Sequence, residues 1–176
     1  MEKKFRLNNV SVRLVKERAM LSETPLTTPE TAVKVMGDYL KEMDREVLML
    51  LNLDCKLKPI SCSVVSVGTI NEAMANPREI FKAAVLSNAA TMILMHGHPS
   101  GDVTPSKADV MMTDRMNKAC NLMGIELVDH IIVGSRTDDY FSFKEKKIMS
   151  FSQNRYEDDY TKINLDAKVA EEERKR

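Results

Sequence analysis

The feature that most constrains this chain is an apolar run that leads directly into two histidines. Residues 91–95 (TMILM) have the length and composition of a buried strand, and His96 and His98 follow without a break. Side chains two positions apart on an extended chain leave the same face, so both imidazoles are predicted to point the same way. A turn-rich loop over residues 99–105 then leads to Ser106, which can cap the next helix.

A metal ion is one explanation for this histidine pair. Imidazole nitrogens suit zinc, and two of them on one face supply half of a tetrahedral site. Asp109 can supply a third ligand if the loop folds back, because it falls in the first turn of the predicted helix. Three protein ligands would leave one position for water, as in catalytic zinc sites. The ordinary alternatives are a surface histidine at a strand end and an aspartate that only complements the helix cap and dipole. The spacing alone leaves both interpretations open.

The rest of the chain predicts alternating helices and strands. Helices are expected to begin at Pro29, with Thr28 as the cap, and after Asn76, with Glu79 completing a capping box. Further strands are expected at residues 10–15, 46–53, 60–67, 125–133 and 140–143. This alternation predicts an α/β domain with a mixed sheet.

Composition restricts the classes of function. Basic and acidic side chains number 26 each, and the formal net charge of zero argues against a protein built mainly to bind nucleic acid. The three cysteines lack a C-x-x-C spacing, which predicts no disulfide framework and a cytoplasmic location. No signal peptide is recognisable, and no segment has the roughly 18 consecutive apolar residues of a membrane span, so no membrane association is expected.

Several motifs in this order resemble one protein family. The pattern H-x-H-P-S-G followed by P-S-x-x-D is similar to the signature of the JAMM metallopeptidases, also called the JAB or MPN family. Four further segments resemble the bacterial RadC-like branch: 68–71 (GTIN), 76–79 (NPRE), 88–90 (NAA) and 127–134 (LVDHIIVG). The resemblance covers residues 28–149, which leaves residues 1–27 as an N-terminal arm or edge strand and 150–176 as a charged tail.

The resemblance implies a cytidine-deaminase-like three-layer α/β sandwich that holds one Zn²⁺ ion per chain. His96, His98 and Asp109 match the metal ligands of the family, and Ser106 matches the serine that helps to stabilise the tetrahedral intermediate. The implied activity is hydrolysis of amide or isopeptide bonds in a peptide or protein substrate by metal-bound water. As a helix cap, Ser106 would use the same oxygen in a competing role.

The family also uses a glutamate as general acid and base, and the resemblance places this position at about Ser63. No Glu or Asp occurs from Cys55 through Asn71, so the usual base is predicted to be missing. Loss of a general base commonly costs about 10²–10⁴-fold in rate. Five other side chains are expected to have ordinary roles, as solvent-facing, capping or loop carboxylates, a core histidine and a strand thiol: Glu72, Glu79, Asp102, His130 and Cys62. The alternatives are a substitute base for the three carboxylates, a hydrogen-bond partner of a metal ligand for His130, and a metal ligand for Cys62.

Three functions therefore stay open for this sequence. The first is a zinc-dependent metallopeptidase-like hydrolase. The second is a scaffold with weak or no activity that works through a protein partner, which the missing carboxylate favours. The third is a DNA-repair or mobile-element role, which the RadC-like resemblance suggests and the neutral net charge opposes.

Overall fold

A computed structural model of the chain describes residues 14–15, 22, 24–68 and 76–148. Most of the predicted arm and the whole predicted tail, residues 150–176, lie outside this part, so the proposed domain boundaries stay predictions. Of the predicted strand at residues 10–15, only Leu14 and Val15 are described, and both are exposed and belong to no helix or strand. No helix in the described ranges is long and apolar enough to cross a membrane.

Helices and strands alternate along the described chain, as the sequence predicts. Their order is α1 (Pro29–Lys41), β1 (Val47–Leu53), β2 (Pro59–Val67), α2 (Pro77–Leu86), β3 (Thr91–His98), α3 (Lys107–Met123), β4 (Glu126–Gly134) and β5 (Tyr140–Ser142). The strands form one sheet in the order β2-β1-β3-β4-β5. The β3–β4 pair is parallel and the other neighbouring pairs are antiparallel, which confirms the mixed sheet.

The helices begin at the predicted caps, with one difference. Thr28 caps α1, and its hydroxyl accepts from the backbone N–H of Thr31. The side chain of Asn76 caps α2. Glu79 does not complete the predicted capping box, because its carboxylate accepts a hydrogen bond from Lys82 Nζ at 2.6 Å. The ion pair with Lys82 thus replaces the bond that Glu79 would make to the backbone of Asn76, while Asn76 itself still caps the helix.

Two apolar layers enclose the sheet and confirm the predicted three-layer sandwich. Helix α1 contributes Met36 and Leu40 to a core on one face of the sheet. Helices α2 and α3 contribute Ile80 and Met116 to a second core on the opposite face. Burial of each such side chain stabilises the fold by roughly 1.5–3 kcal/mol relative to exposure.

The pairing of β1 with β3 determines which side chains lie next to each other at one end of the sheet. Val47 lies opposite Gly97, and Leu48 lies opposite His96. Because the strands are antiparallel, Glu46, which immediately precedes β1, reaches the end of the sheet where β3 finishes at His98. Every residue of β1 and β3 is buried, so this end is held by the core of the domain.

Candidate metal centre

The two histidines lie on one face of the sheet, as the spacing predicts. Strand β3 continues through His98, so the chain stays extended across both positions. His96 and His98 are 2% and 8% exposed, and their ring centroids lie 4.8 Å apart. The alternative of a surface histidine at a strand end is therefore wrong for both residues.

The loop after β3 folds back and brings Asp109 to the histidines. Asp109 Oδ1 lies 3.0 Å from His96 Nδ1, and Asp109 Oδ2 lies 3.6 Å from His98 Nε2. The same carboxylate completes a capping box at the start of α3, since Oδ2 accepts from both the backbone N–H and the hydroxyl of Ser106 at 2.8 and 2.6 Å. Asp109 thus serves the helix cap and faces both imidazoles.

A second carboxylate, which the sequence pattern did not reveal, faces the histidine pair. Glu46 Oε2 lies 3.3 Å from His96 Nε2, and the side chain of Glu46 is 14% exposed. Ligand atoms of Glu46, His96 and His98 all lie within 4.8 Å of one another, a spacing that could hold a metal ion. The sequence feature that could have indicated Glu46 is its position, because it is the last charged residue before the apolar run of β1.

The structure does not bring Ser63 to this cluster. Ser63 lies on β2 opposite Leu50, four positions along β1 from Glu46, or about 13 Å at the usual rise of a strand. The predicted base position at about Ser63 therefore does not meet the histidines, and the glutamate that faces them is Glu46, which immediately precedes β1. The two strands form one hairpin, and the backbone N–H of Gly68, just after β2, donates to the Glu46 carbonyl at 2.9 Å.

The surroundings of His96 fit a metal ion. Neither ring nitrogen of this buried histidine has a hydrogen-bond partner among the described residues, despite the carboxylates nearby. An unsatisfied buried polar group costs about 1–3 kcal/mol, so these nitrogens call for another partner. The gaps of 3.3 Å between His96 Nε2 and Glu46 Oε2 and of 3.6 Å between His98 Nε2 and Asp109 Oδ2 are close to the roughly 3.3 Å between ligand atoms of a tetrahedral zinc ion. The 3.0 Å gap to Asp109 Oδ1 is made by the other nitrogen of His96, Nδ1, and one ion can bind only one of the two ring nitrogens.

Backbone contacts orient His98. Its Nδ1 lies 2.7 Å from the carbonyl oxygen of Asp102, which can only accept, so Nδ1 carries a proton and Nε2 is bare in the neutral ring. The carbonyl of His98 accepts from the backbone N–H groups of Gly101 and Ser135 at 3.1 and 2.9 Å. A bare Nε2 held by an Nδ1–H···O=C bond is the arrangement typical of metal-binding histidines.

Two glycines allow the loop to pass this close to β4. A Cβ atom at Gly134 would lie 2.6 Å from the carbonyl oxygen of Gly101, which is too close for any other residue type without a backbone shift. Gly101 has a φ of +83°, a conformation that L side chains rarely adopt. Both glycines thus permit the turn that carries Asp102 to His98.

The charges at this centre favour an ionised Asp109. Burial alone would raise its pKa, but the adjacent His96, His98 and Ser106 hold the pKa of Asp109 far below its usual value. For His98, burial disfavours the charged ring, yet Asp109 and the Asp102 carbonyl raise its pKa above the ordinary value. A proton on His98 would compete with a metal ion for Nε2.

The remaining side chains singled out in the sequence do not join the ligand cluster. His130 is fully buried behind His96, which confirms its interpretation as a core histidine, and burial lowers its pKa to about 3. The carboxylate of Asp102 is exposed and accepts from the backbone of Thr104. Cys62 packs against the core on the α1 side of the sheet. Glu72 lies outside the described residues.

This three-layer sandwich, with a histidine pair at the end of one strand and an aspartate at the start of the next helix, defines a JAB-type domain. The chain belongs to the RadC-like JAB domain family, whose sequence profile matches residues 26–148. It is similar to proteins named UPF0758, with 42% identity to one from Clostridium perfringens over 73% of this chain and 56% of the relative. A relative from Actinobacillus pleuropneumoniae is 44% identical over 69% of this chain and 54% of its own length. The chain therefore spans little more than half the length of these relatives.

Proposed function

We propose that this chain is a zinc-dependent hydrolase of amide or isopeptide bonds in peptide or protein substrates. The observation that carries the proposal is the convergence of two carboxylates, Glu46 and Asp109, on a buried histidine pair. Family membership supports it, since the resemblance implies the same chemistry. The scaffold alternative rested on a missing carboxylate, and Glu46 removes that reason for preferring it.

His96, His98 and Asp109 are proposed as the metal ligands, with Glu46 as the general base. Asp109 lies near both imidazoles, whereas the ion-pair contact of Glu46 within the described part of the chain is with His96. Ser106 fixes Asp109 through two hydrogen bonds, so the aspartate is already oriented. Glu46 is more exposed than Asp109, at 14% against 7% of the side chain, which suits a group that exchanges protons with water.

The protein groups then divide the reaction between them. When bound, zinc would polarise the scissile carbonyl and lower the pKa of water toward about 7. The Glu46 carboxylate would accept a proton from the attacking water as the new C–O bond forms. It would return that proton to the leaving nitrogen as the C–N bond breaks, so the same residue acts as base and then as acid.

Ser106 is proposed to donate a hydrogen bond to the oxyanion of the tetrahedral intermediate. In the structure its hydroxyl donates to Asp109 Oδ2 at 2.6 Å and accepts from the Asp109 backbone N–H at 3.2 Å. Its proton would therefore have to turn from Asp109 to the substrate oxygen. A donor aimed at developing charge acts most strongly in the transition state.

The proposal is tested by assaying zinc-loaded protein on linear peptides and on isopeptide-linked lysine peptides, with His98→Ala as the matched control. Cleavage by wild type, and its loss both in the variant and after removal of zinc by a chelator, would support the proposal. Zinc-loaded wild type that cleaves neither substrate class would contradict it. Binding of a stable protein partner by that inactive protein would then favour the scaffold function.

A further inference from the structure

A buried hydrogen-bonded pair lies directly behind the metal centre. Thr113 is one helical turn after Asp109 on α3, and its Oγ1 donates to the Asp109 carbonyl at 2.6 Å. The same Oγ1 lies 2.6 Å from Nδ1 of His130 on β4. Thr113 and His130 are both fully buried, so the pair is part of the domain interior.

Proton counting fixes the tautomer of His130. A threonine hydroxyl has one proton, and the Asp109 carbonyl can only accept, so that proton is used there. The contact between His130 and Thr113 therefore requires an Nδ1–H on the imidazole. Nε2 of His130 is then bare, and it has no hydrogen-bond partner among the described residues. The contacts found for this histidine are those of Nδ1 with Thr113 and of its ring with His96 and Phe143.

The ring of His130 lies beside two other rings, those of Phe143 and of the proposed ligand His96. It lies nearly parallel to the Phe143 ring, at 4.9 Å between centroids and 11° between planes. It is nearly parallel to His96 as well, at 6.2 Å and 12°. His130 thus reaches Asp109 through Thr113 and His96 through its ring.

We infer that Thr113 and His130 are positioning residues that set the geometry of Asp109 and His96. Neither residue is proposed to touch the metal ion or the substrate. Loss of such supporting contacts typically weakens metal binding 10–100-fold. The expected effect on metal affinity rests on the proposed function, whereas the expected tautomer rests only on the contacts of the protein itself.

The test compares Thr113→Val, which removes the hydroxyl at nearly constant volume, with Thr113→Ser, which keeps it. Ser61→Ala is the control for a lost hydroxyl far from the centre. The Ser61 hydroxyl is hydrogen-bonded to Asn52 and Ser87, and Asn52 lies six positions along the chain from Glu46. Zinc affinity is measured by chelator competition, and the cobalt-substituted proteins are compared by visible absorption. We expect 10–100-fold weaker binding and an altered cobalt spectrum only for Thr113→Val.

Ring nitrogen NMR of the metal-free protein supplies the second readout. We expect His130 to carry its proton on Nδ1 in wild type and in Thr113→Ser, and the His96 ring signals to shift in Thr113→Val. A proton on Nε2 of His130, or wild-type zinc affinity in folded Thr113→Val, would overturn the inference. If wild type binds no zinc, the proposed function fails. Unchanged His96 signals in Thr113→Val would then overturn this inference separately, and shifted signals would support it.

Discussion

Glu46 Oε2 lies 3.3 Å from His96 Nε2, although Glu46 immediately precedes β1 and His96 lies on β3. The contact follows from the antiparallel register of β1 and β3, which brings the start of one strand to the end of the other. A carboxylate beside a buried imidazole is suited to proton transfer or to metal binding. The two roles predict different results for substitution of Glu46.

Replacement of Glu46 by glutamine tests the base. The amide keeps the size of the side chain but cannot accept the proton, so we expect kcat/KM to fall about 10²–10⁴-fold with zinc retained. Peptide or isopeptide hydrolysis and zinc content are measured on the same samples. Ser63→Ala is the matched control, and its activity should equal that of wild type. Loss of zinc in Glu46→Gln would instead make Glu46 a ligand.

Replacement of Ser106 by glycine tests whether its hydroxyl acts beyond the helix cap, with zinc content measured on the same samples because the hydroxyl also donates to Asp109 Oδ2. Glycine is tolerated at a helix cap at a cost of only a few tenths of a kcal/mol, whereas it supplies no hydroxyl to an oxyanion. We expect kcat to fall roughly 10²–10³-fold with little change in thermal stability. Thr28→Gly, at the cap of α1, controls for loss of a capping side chain far from the reaction. An unchanged kcat in Ser106→Gly would show that Ser106 acts as a helix cap and does not stabilise the oxyanion.

Replacement of Gly134 by alanine should damage the loop that orients His98. The added Cβ would meet the Gly101 carbonyl at 2.6 Å, and such overpacking typically costs about 1–3 kcal/mol. We expect lower stability and weaker zinc binding, measured by chemical denaturation and chelator competition. Gly124→Ala is the comparison, because Gly124, unlike Gly134, has a positive φ, and a Cβ there would meet no other packed residue of the described chain within 4 Å. Gly124→Ala should lose stability and keep zinc affinity.

The stability of the metal-free protein should depend on His130 at acidic pH. Burial lowers the pKa of His130 to about 3, so the folded state keeps the ring neutral where an unfolded chain would protonate it below about 6.5. This contribution is fully present above pH about 6.5 and is lost as the pH falls from there toward 3, at about 1.4 kcal/mol per pH unit. Denaturation of wild type and His130→Phe from pH 8 to 4 measures it. Parallel curves for the two proteins would contradict the prediction.

The sequence predicted the fold well because the signals it uses are local. The caps Thr28, Asn76 and Ser106 mark the helix starts by chemistry that acts within one turn. The extended H-G-H segment likewise placed both imidazoles on one face.

The failure at Glu46 has a non-local cause. Its contact with His96 depends on strand register, which no local pattern specifies, so the resemblance alone places the base position on β2 at about Ser63. The link from Asp109 through Thr113 to His130 is also non-local, since it joins α3 to β4. The packing of distant segments therefore decided which polar residues meet.

Zinc content per chain, measured by native mass spectrometry on protein purified without chelator, tests the central claim most directly. Wild type is compared with His98→Ala, Asp109→Asn and Glu46→Gln. We predict one zinc ion in wild type and in Glu46→Gln, and none in the other two variants. Wild type without a metal ion, or His98→Ala with a full complement of zinc, would contradict the proposed centre.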